Sequence, residues 1–197
     1  QKYKLIGANL GSYRILLLNS NITHELASSE YNTRRLECDE GVAIIKQSYP
    51  DVNSLRDVDR KMLEQCSWFL DSHIFNRCSY VVSENIRVKS AVNVLKKGDL
   101  KKLGFLLYES HLGLRNLYEV SCPELDFLVD ISKNYTEVLG ARLMGGGFGG
   151  CTINLVHVDF ISRYVEEVCE AYYKRFKIEL TPIEVSLDNG TQVQRIA

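Results

Sequence analysis

The stretch of sequence that decides the fold is ARLMGGGFGGCTINLVHV, residues 141–158. Short apolar runs at Ala141–Met144 and Cys151–Val158 predict two strands, and the glycine-rich residues 145–150 between them predict a tight loop. Glycine adopts positive φ values and lets another chain segment or a ligand approach the backbone closely. Along the second strand, two sets of residues are predicted on opposite faces: Cys151, Ile153, Leu155 and Val158 on one, and mostly Thr152, Asn154 and His157 on the other.

Outward from this stretch, the chain begins with a strand and continues with many helices. Tyr13–Leu18 predicts a buried strand. Helices are predicted at Ser28–Ser48, Asp57–Leu63, Trp68–Ser83 and Val88–Leu95, after Asp99, from Ser121 to about Asn134, and from Asp159 to about Lys177. Thr181–Leu187 and Gln192–Ile196 predict closing strands around Asp188-Asn189-Gly190, because Asn-Gly is a strong hairpin signal. This order predicts an α+β fold and argues against alternating βαβ units.

Start and stop residues mark several of these helices. Pro50 ends the first long helix, because the residue before a proline disfavours helical geometry. Gly98 is a predicted C-terminal stop, and Asp99 is the predicted N-cap of the next helix. Ser121 and Glu124 match a capping box, and Asp159 is predicted to cap the last helix. Ser28 and Ser29 are predicted N-caps of the first helix.

Composition and charge exclude several classes of protein. The chain has 197 residues, of which 45% are hydrophobic and 25% are charged, which is ordinary for a globular domain. Lys and Arg number 24 against 25 Asp and Glu, a net charge of -1 that argues against a general nucleic-acid binder. No apolar run approaches the roughly 18 residues of a membrane span. We therefore expect neither nucleic acid nor a membrane as a partner.

The six cysteines carry no metal-binding or disulfide signature. No two of them are spaced C-x-x-C, and no cluster of Cys and His has zinc-finger spacing. The pattern predicts six reduced thiols in a cytoplasmic protein with no metal site.

Several interpretations of the glycine loop compete. Residues 145, 147 and 150 formally match G-x-G-x-x-G, but a dinucleotide-binding fingerprint runs from a strand into a helix, whereas a strand follows here. Residues 150–152 lack the lysine that a Walker A loop requires. Two interpretations stay open: a tight hairpin packed on its own chain, and a loop whose backbone N–H groups face a phosphate.

Four separated motifs follow one another along the chain: HELASSEYNTRR at 24–35, VVSEN at 81–85, YEVSCPELD at 118–126 and GARLMGGGFGGCT at 140–152. Together they resemble the galactokinase branch of the GHMP small-molecule kinases, and the last is similar to the third conserved motif of that family. The resemblance covers about residues 13–197. It implies a GHMP kinase C-terminal-type domain, with helices packed on a mainly antiparallel sheet.

The resemblance also implies an activity, ATP-dependent phosphorylation of galactose at its anomeric hydroxyl, with Mg²⁺, in a cleft between two lobes. In that family the aspartate base, the magnesium ligands and a Ser-rich phosphate loop lie in the N-terminal half, and nothing here matches them. We therefore interpret residues 1–22 as a strand region continuing from an absent N-terminal lobe, and residues 23–197 as the GHMP kinase C-terminal domain. No catalytic residue and no metal ligand is assigned, and we expect the isolated chain to be inactive.

Three other functions remain as alternatives. An N-acetylgalactosamine kinase would share the same motifs. A galactokinase-like sugar sensor would bind sugar and ATP without turnover. A purely structural domain would have neither activity.

By the same resemblance, Tyr31 corresponds to the tyrosine whose hydroxyl meets the bound sugar; its other interpretation is a core tyrosine on a helix face. The implied ATP-phosphate or phosphate-loop-bracing residues are Gly145, Gly146, Gly147, Phe148, Gly149 and Gly150, with Phe148 as a packing wedge. His24 is expected to anchor the turn before the first helix. For Arg34 and Arg35, salt bridges to Glu30 or Glu37 compete with contact to a phosphate.

Overall fold

The structure, a computed structural model, describes residues 6–23 and 27–187. Its strands are β1 Tyr13–Thr23, β2 Val138–Leu143, β3 Gly149–His157 and β4 Thr181–Val185. Its α-helices are α1 Ala27–Ser48, α2 Arg60–Gln65, α3 Ser72–Lys97, α4 Leu100–Asn116, α5 Pro123–Ser132 and α6 Ile161–Phe176. Short 3₁₀ turns at Ser67–Phe69 and Val158–Phe160 come before α3 and α6. The α+β prediction is confirmed.

The four strands form one antiparallel sheet in the order β2-β3-β1-β4. β2 and β3 are the hairpin predicted around the glycine loop, with Leu143 opposite Thr152. β1 pairs with β3 on one side and β4 on the other, so the first strand of the chain lies inside the sheet. The register places Thr23, the last residue of β1, opposite Gly149 at the glycine loop. The predicted domain boundary at residue 22 falls at this end of β1 and stays a prediction.

Helices α5 and α6 cover one face of the sheet. The buried residues of this layer are Leu16, Leu18, Leu128, Val138, Val156, Tyr164, Val168, Tyr172 and Leu180. Asn154 pairs with Leu16 and Thr152 with Leu18, so both polar side chains lie on this covered face, and both are fully buried. The alternation predicted from Cys151 to Leu155 is present, but the helices cover its polar positions. His157 was predicted beside Asn154, which is wrong: it lies on the opposite face, with Leu155. The Asn154 amide donates to Thr152 Oγ1 at 3.0 Å, which offsets the cost of burying it.

A second core lies among α1, α2 and α3 and the segment that joins α1 to α2. Its buried residues are Ile45, Val52, Leu55, Val58, Leu63, Cys66, Leu70, Ile74, Cys78 and Val82. Helix α4 connects this layer to the sheet by lying directly against β2. A Cβ atom on Gly140 would be 2.2 Å from the carbonyl oxygen of Gly104, so the helix and the strand meet through two glycines.

The predicted helices Trp68–Ser83 and Val88–Leu95 merge into a single helix that begins only at Ser72, and Trp68 lies in the 3₁₀ turn before it, which is a correction. α3 runs unbroken from Ser72 to Lys97. It ends at Gly98, whose φ is +68°, as predicted for a C-terminal stop. Asp99 caps α4 as predicted, because its carboxylate accepts the N–H of Lys102 at 3.0 Å.

The predicted capping box at Ser121 is wrong. Cys122 is the N-cap of α5 and Pro123 is the first helical residue, where its missing N–H costs nothing. The Ser121 hydroxyl instead donates to Asp126 Oδ1 at 2.6 Å. Ser121 thus holds the carboxylate of Asp126, which lies one turn into the helix.

Two further cap predictions are also wrong. Asp159 lies in a 3₁₀ turn, where its own N–H donates to His157 Nδ1 at 3.4 Å, and α6 begins two residues later. Helix α1 already begins at Ala27, so Ser28 and Ser29 lie in its first turn. In both cases the helix begins one or more residues away from the residue that the sequence predicted as its N-cap.

At the C-terminal side, β4 lies within the predicted strand Thr181–Leu187. The predicted turn at Asp188-Asn189-Gly190 and the strand Gln192–Ile196 lie outside the described residues. The six cysteines are all free, as predicted. No helix in the described part of the chain is long and apolar enough to cross a membrane.

Candidate functional site

The loop between β2 and β3 has a backbone that only a glycine-rich sequence adopts easily. Its positive φ values are +86° at Gly145, +87° at Gly147, +58° at Phe148, +129° at Gly149 and +77° at Gly150. L-residues with a side chain rarely adopt such angles. The glycines are therefore required by the path of the chain itself.

Two of these glycines are closed in by the protein. A Cβ atom on Gly147 would be 2.1 Å from the carbonyl oxygen of Val120, and one on Gly149 would be 2.3 Å from that of Ile22. Phe148 lies between them, half-buried, and its N–H donates to the Val120 carbonyl at 2.7 Å. Its side chain packs against the core cluster of Tyr80, Leu114, Val120, Cys122, Leu125 and Leu143. These contacts support the tight-packing interpretation for the second half of the loop.

The first half of the loop is open. Gly145 and Gly146 are exposed, and a Cβ on Gly145 would meet nothing within 4 Å. At the other end, the buried hydroxyl of Ser20 donates to the Gly150 carbonyl at 2.8 Å. The loop is thus anchored at residues 147–150 and accessible at 145–146.

Tyr31 lies on the accessible side of this loop. A Cβ atom on Gly146 would be 3.5 Å from Cδ2 of the Tyr31 ring, so helix α1 and the loop meet at one surface. Tyr31 is 52% exposed, which excludes the interpretation of a core tyrosine. The phenol is therefore accessible to a ligand at the point where two predicted site segments meet.

Tyr31 also borders a cleft of about 550 Å³ between α1, α3 and the segment after α1. The residues lining it are Tyr31, Arg35, Cys38, Asp39, Val42, Asn53, Ser54, Leu55, Arg56, Val81, Asn85 and Tyr118. A second cleft of about 520 Å³, between residues 8–15 and 184–187, contains none of the predicted site residues.

Inside the first cleft, a thiol and a phenol interact in a way that the sequence did not indicate. Cys38 on α1 lies close enough to Cys78 on α3 and to the hydroxyl of Tyr118 for both groups to change the pKa of its thiol. The interaction with Cys78 is the main cause that lowers the pKa of Cys38, against an opposing effect of burial. The same contact raises the pKa of Cys78, and burial raises the pKa of Tyr118. Residues 118–126 formed one of the quoted motifs, yet nothing in it indicated this contact.

The two arginines after Tyr31 have different surroundings. Arg34 is buried and forms ion pairs with Glu30 at 3.6 Å and Glu37 at 3.4 Å, as the salt-bridge interpretation predicts. It also donates to backbone carbonyls of the turn before α5, which the sequence did not indicate. Arg35 is exposed and reaches Asp39 at only 4.0 Å.

The backbone at Gly145 leaves room for a group to approach it, because a Cβ atom there would meet nothing within 4 Å, whereas the space beside Gly146 is bordered by the Tyr31 ring. Within residues 6–23 and 27–187, no group of three or more His, Cys, Asp or Glu side chains could hold a metal ion. His24 lies outside the described residues.

Comparison with known proteins supports the resemblance. Residues 91–171 match the family described as GHMP kinases C terminal. The resemblance inferred from the four motifs is confirmed.

Curated relatives and a solved structure agree with this assignment. The chain is 43% identical to a galactokinase of Thermotoga neapolitana over 97% of its length, and 38% identical to one of Clostridium perfringens over 95%. It matches 52% and 49% of those proteins, so it spans about half their length. The structure superimposes on Lactococcus lactis galactokinase complexed with galactose with a TM-score of 0.87 and 33% identity, covering 93% of this chain and 47% of that one.

The matched residues 91–171 contain the end of α3, α4, α5, β2, the glycine loop, β3, the 3₁₀ turn at Val158–Phe160 and part of α6. Tyr31 and Arg34 on α1 precede them. The surface where Tyr31 meets Gly146 therefore joins the family-wide domain to a helix outside the matched range.

Proposed function

We propose that this chain is the C-terminal lobe of a galactokinase, an enzyme that transfers a phosphoryl group from ATP to the anomeric hydroxyl of galactose. The identity to galactokinases over nearly the whole chain supports the reaction class. The observation that carries the proposal is the contact of Tyr31 with the open half of the glycine loop, because a sugar contact and a phosphate contact must be close neighbours for transfer between them.

In this proposal, the chain binds and orients substrates without supplying the catalytic base. The Tyr31 hydroxyl offers a hydrogen bond to a sugar hydroxyl, and the backbone at Gly145 and Gly146 approaches the ATP phosphates. ATP supplies the phosphoryl group, and Mg²⁺ neutralises charge on the phosphates. Galactose and ATP give galactose 1-phosphate, ADP and a proton, and the base that accepts the proton belongs to the N-terminal lobe.

The N-terminal lobe is the partner that this proposal requires. The curated relatives are about twice as long as this chain. Met144, beside the loop, is 41% exposed, and Tyr31 is 52% exposed, so apolar surface is available where the two lobes would meet. We propose that the second lobe closes over this end of the sheet and completes the substrate cleft.

The test is a coupled ADP-release assay with galactose and ATP–Mg²⁺, run on the isolated chain and on the full-length parent protein. We expect turnover from the parent and none above background from the chain. Turnover by the chain alone refutes the assignment of the base to the other lobe. A parent that turns over only N-acetylgalactosamine, or that binds galactose without releasing ADP, refutes the galactokinase assignment in favour of the corresponding alternative.

A further inference from the structure

The turn between α4 and α5 lies at the centre of the contacts around the glycine loop. It passes through Glu119, whose φ is +53°, a left-handed conformation that is uncommon for a residue with a side chain. Such a conformation persists only where the surroundings hold it. The groups that hold this turn therefore control the direction of its carbonyl groups.

Arg34 binds two consecutive carbonyl groups of this turn. Its Nε donates to the carbonyl of Tyr118 at 2.8 Å, and its Nη2 donates to that of Glu119 at 3.2 Å. The side chain is buried, and the carboxylates of Glu30 and Glu37 balance its charge. Charge-assisted hydrogen bonds from a planar guanidinium fix both distance and direction.

The next carbonyl of the same turn binds the glycine loop. The Val120 carbonyl accepts the N–H of Phe148 at 2.7 Å and lies against Gly147. Three successive carbonyl groups, at 118, 119 and 120, thus connect Arg34 to the loop. Tyr31 is one helical turn before Arg34 on α1, and its ring lies beside Gly146, 3.5 Å from the position that a Cβ on Gly146 would occupy.

We infer that Arg34 is a positioning residue that fixes the glycine loop against Tyr31 through the turn at residues 118–120. Arg77 supports the same turn from α3, because its guanidinium pairs with Glu119 at 2.7 Å and with Glu37 at 3.0 Å. Arg34 differs from Arg77 in lying on the helix that carries Tyr31. Arg34 therefore sets the position of the loop relative to the phenol.

The test uses the 197-residue chain and needs no substrate, so its result is independent of the proposed function. Amide hydrogen exchange is measured residue by residue in the unmodified chain and in Arg34→Gln. We expect the Phe148 amide to exchange at least about tenfold faster in the variant, with amides in the centre of β1 and β3 unchanged. We also expect loss of the nuclear Overhauser effect between the Tyr31 ring and the Gly146 Hα protons.

Arg35→Gln is the matched control, because Arg35 is the neighbouring arginine on the same helix but is exposed. It should leave both signals unchanged. Arg34→Lys keeps the charge but loses the planar guanidinium, so its Phe148 amide is expected to exchange at a rate between those of Arg34→Gln and Arg35→Gln. It also provides the test if Arg34→Gln does not fold. Full protection of Phe148 in Arg34→Lys overturns the inference, as does an equal increase of exchange throughout the sheet.

The catalytic consequence of this inference rests on the proposed function. In the full-length parent, Arg34→Lys is expected to lower kcat by several fold with a smaller change in the KM for galactose, because the phosphate-side loop moves relative to Tyr31. If Arg34→Lys speeds exchange of the Phe148 amide but leaves kcat unchanged, the catalytic consequence is wrong and the positioning role of Arg34 stands.

Discussion

The ring of Tyr31 and the backbone of Gly146 are direct neighbours, with 3.5 Å between Cδ2 of the ring and the position that a Cβ on Gly146 would occupy. Their positions in the sequence are more than a hundred residues apart, and one belongs to a helix while the other belongs to a hairpin loop. This contact defines the surface that the proposed substrates share.

Removal of the Tyr31 hydroxyl is expected to weaken galactose binding. In the full-length parent, Tyr31→Phe should raise the KM for galactose by about three- to tenfold, the range for loss of one hydrogen bond, with little change in the KM for ATP. Steady-state kinetics with each substrate varied in turn provides the measurement. Tyr173→Phe is the matched control, because Tyr173 is also 52% exposed but lies on α6. Identical kinetics for the two variants remove the role assigned to Tyr31.

A methyl group on Gly147 is expected to disrupt the loop more than one on Gly145. Both residues have φ values close to +86°, so Ala introduces similar backbone strain at each. Only at Gly147 does the added Cβ collide, at 2.1 Å, with the Val120 carbonyl. We expect Gly147→Ala to lower the free energy of unfolding by about 1–3 kcal/mol more than Gly145→Ala does, as measured by urea denaturation. If both variants lose the same free energy of unfolding, backbone strain alone explains why glycine is needed at the two positions.

Cys38 is expected to react with a thiol reagent at lower pH than Cys151. Both thiols are half-buried, but the interaction with Cys78 lowers the pKa of Cys38, whereas burial raises the pKa of Cys151. Because the thiolate is the nucleophile, alkylation of Cys38 should begin earlier as pH rises. Peptide mass spectrometry after timed iodoacetamide treatment measures both sites in one sample. Earlier modification of Cys151 contradicts the lowered pKa of Cys38.

Asp126 is expected to stabilise the fold in a pH-dependent way. Burial would raise the pKa of this carboxyl, but His111, whose Nε2 lies 3.2 Å from Oδ1, the hydrogen bond from Ser121 and the charge of Arg115 outweigh it and lower the pKa below its usual value. A carboxyl with a lowered pKa in the folded state contributes stability above its unfolded pKa of 3.8 and loses it as pH falls further. The contribution is therefore complete at neutral pH.

The variant Asp126→Asn isolates this contribution. At neutral pH it should lower the free energy of unfolding by about 1–3 kcal/mol, because a buried charge-assisted pair is removed. The difference should shrink as pH falls below 3.8 and through the lowered pKa of the native carboxyl. Urea denaturation at several pH values measures it, and a difference that stays constant down to pH 2 rules out the carboxylate as its cause.

Sequence reasoning predicted those parts of the fold that depend on local pattern. The β2–β3 hairpin, helix α1 with its end before Pro50, and the stop at Gly98 all follow from residues close together in the chain. It divided α3 in two, because the residues between Ser83 and Val88 show no clear apolar face; Ile86 is 41% exposed. It also predicted that Ser121 caps α5, whereas the Ser121 hydroxyl donates a hydrogen bond to Asp126 within that helix.

What the sequence by itself determined is the order of most strands and helices, the resemblance to the GHMP kinases, and the choice of Tyr31 and the glycines as candidates. These depend on spacing and on the conformations that glycine and proline allow. Only the tertiary structure decided which glycines are closed by the chain, and that Arg34 binds a turn 84 residues away. Packing brings together groups whose separation along the chain carries no local signal, so their partners are known only once the chain has folded.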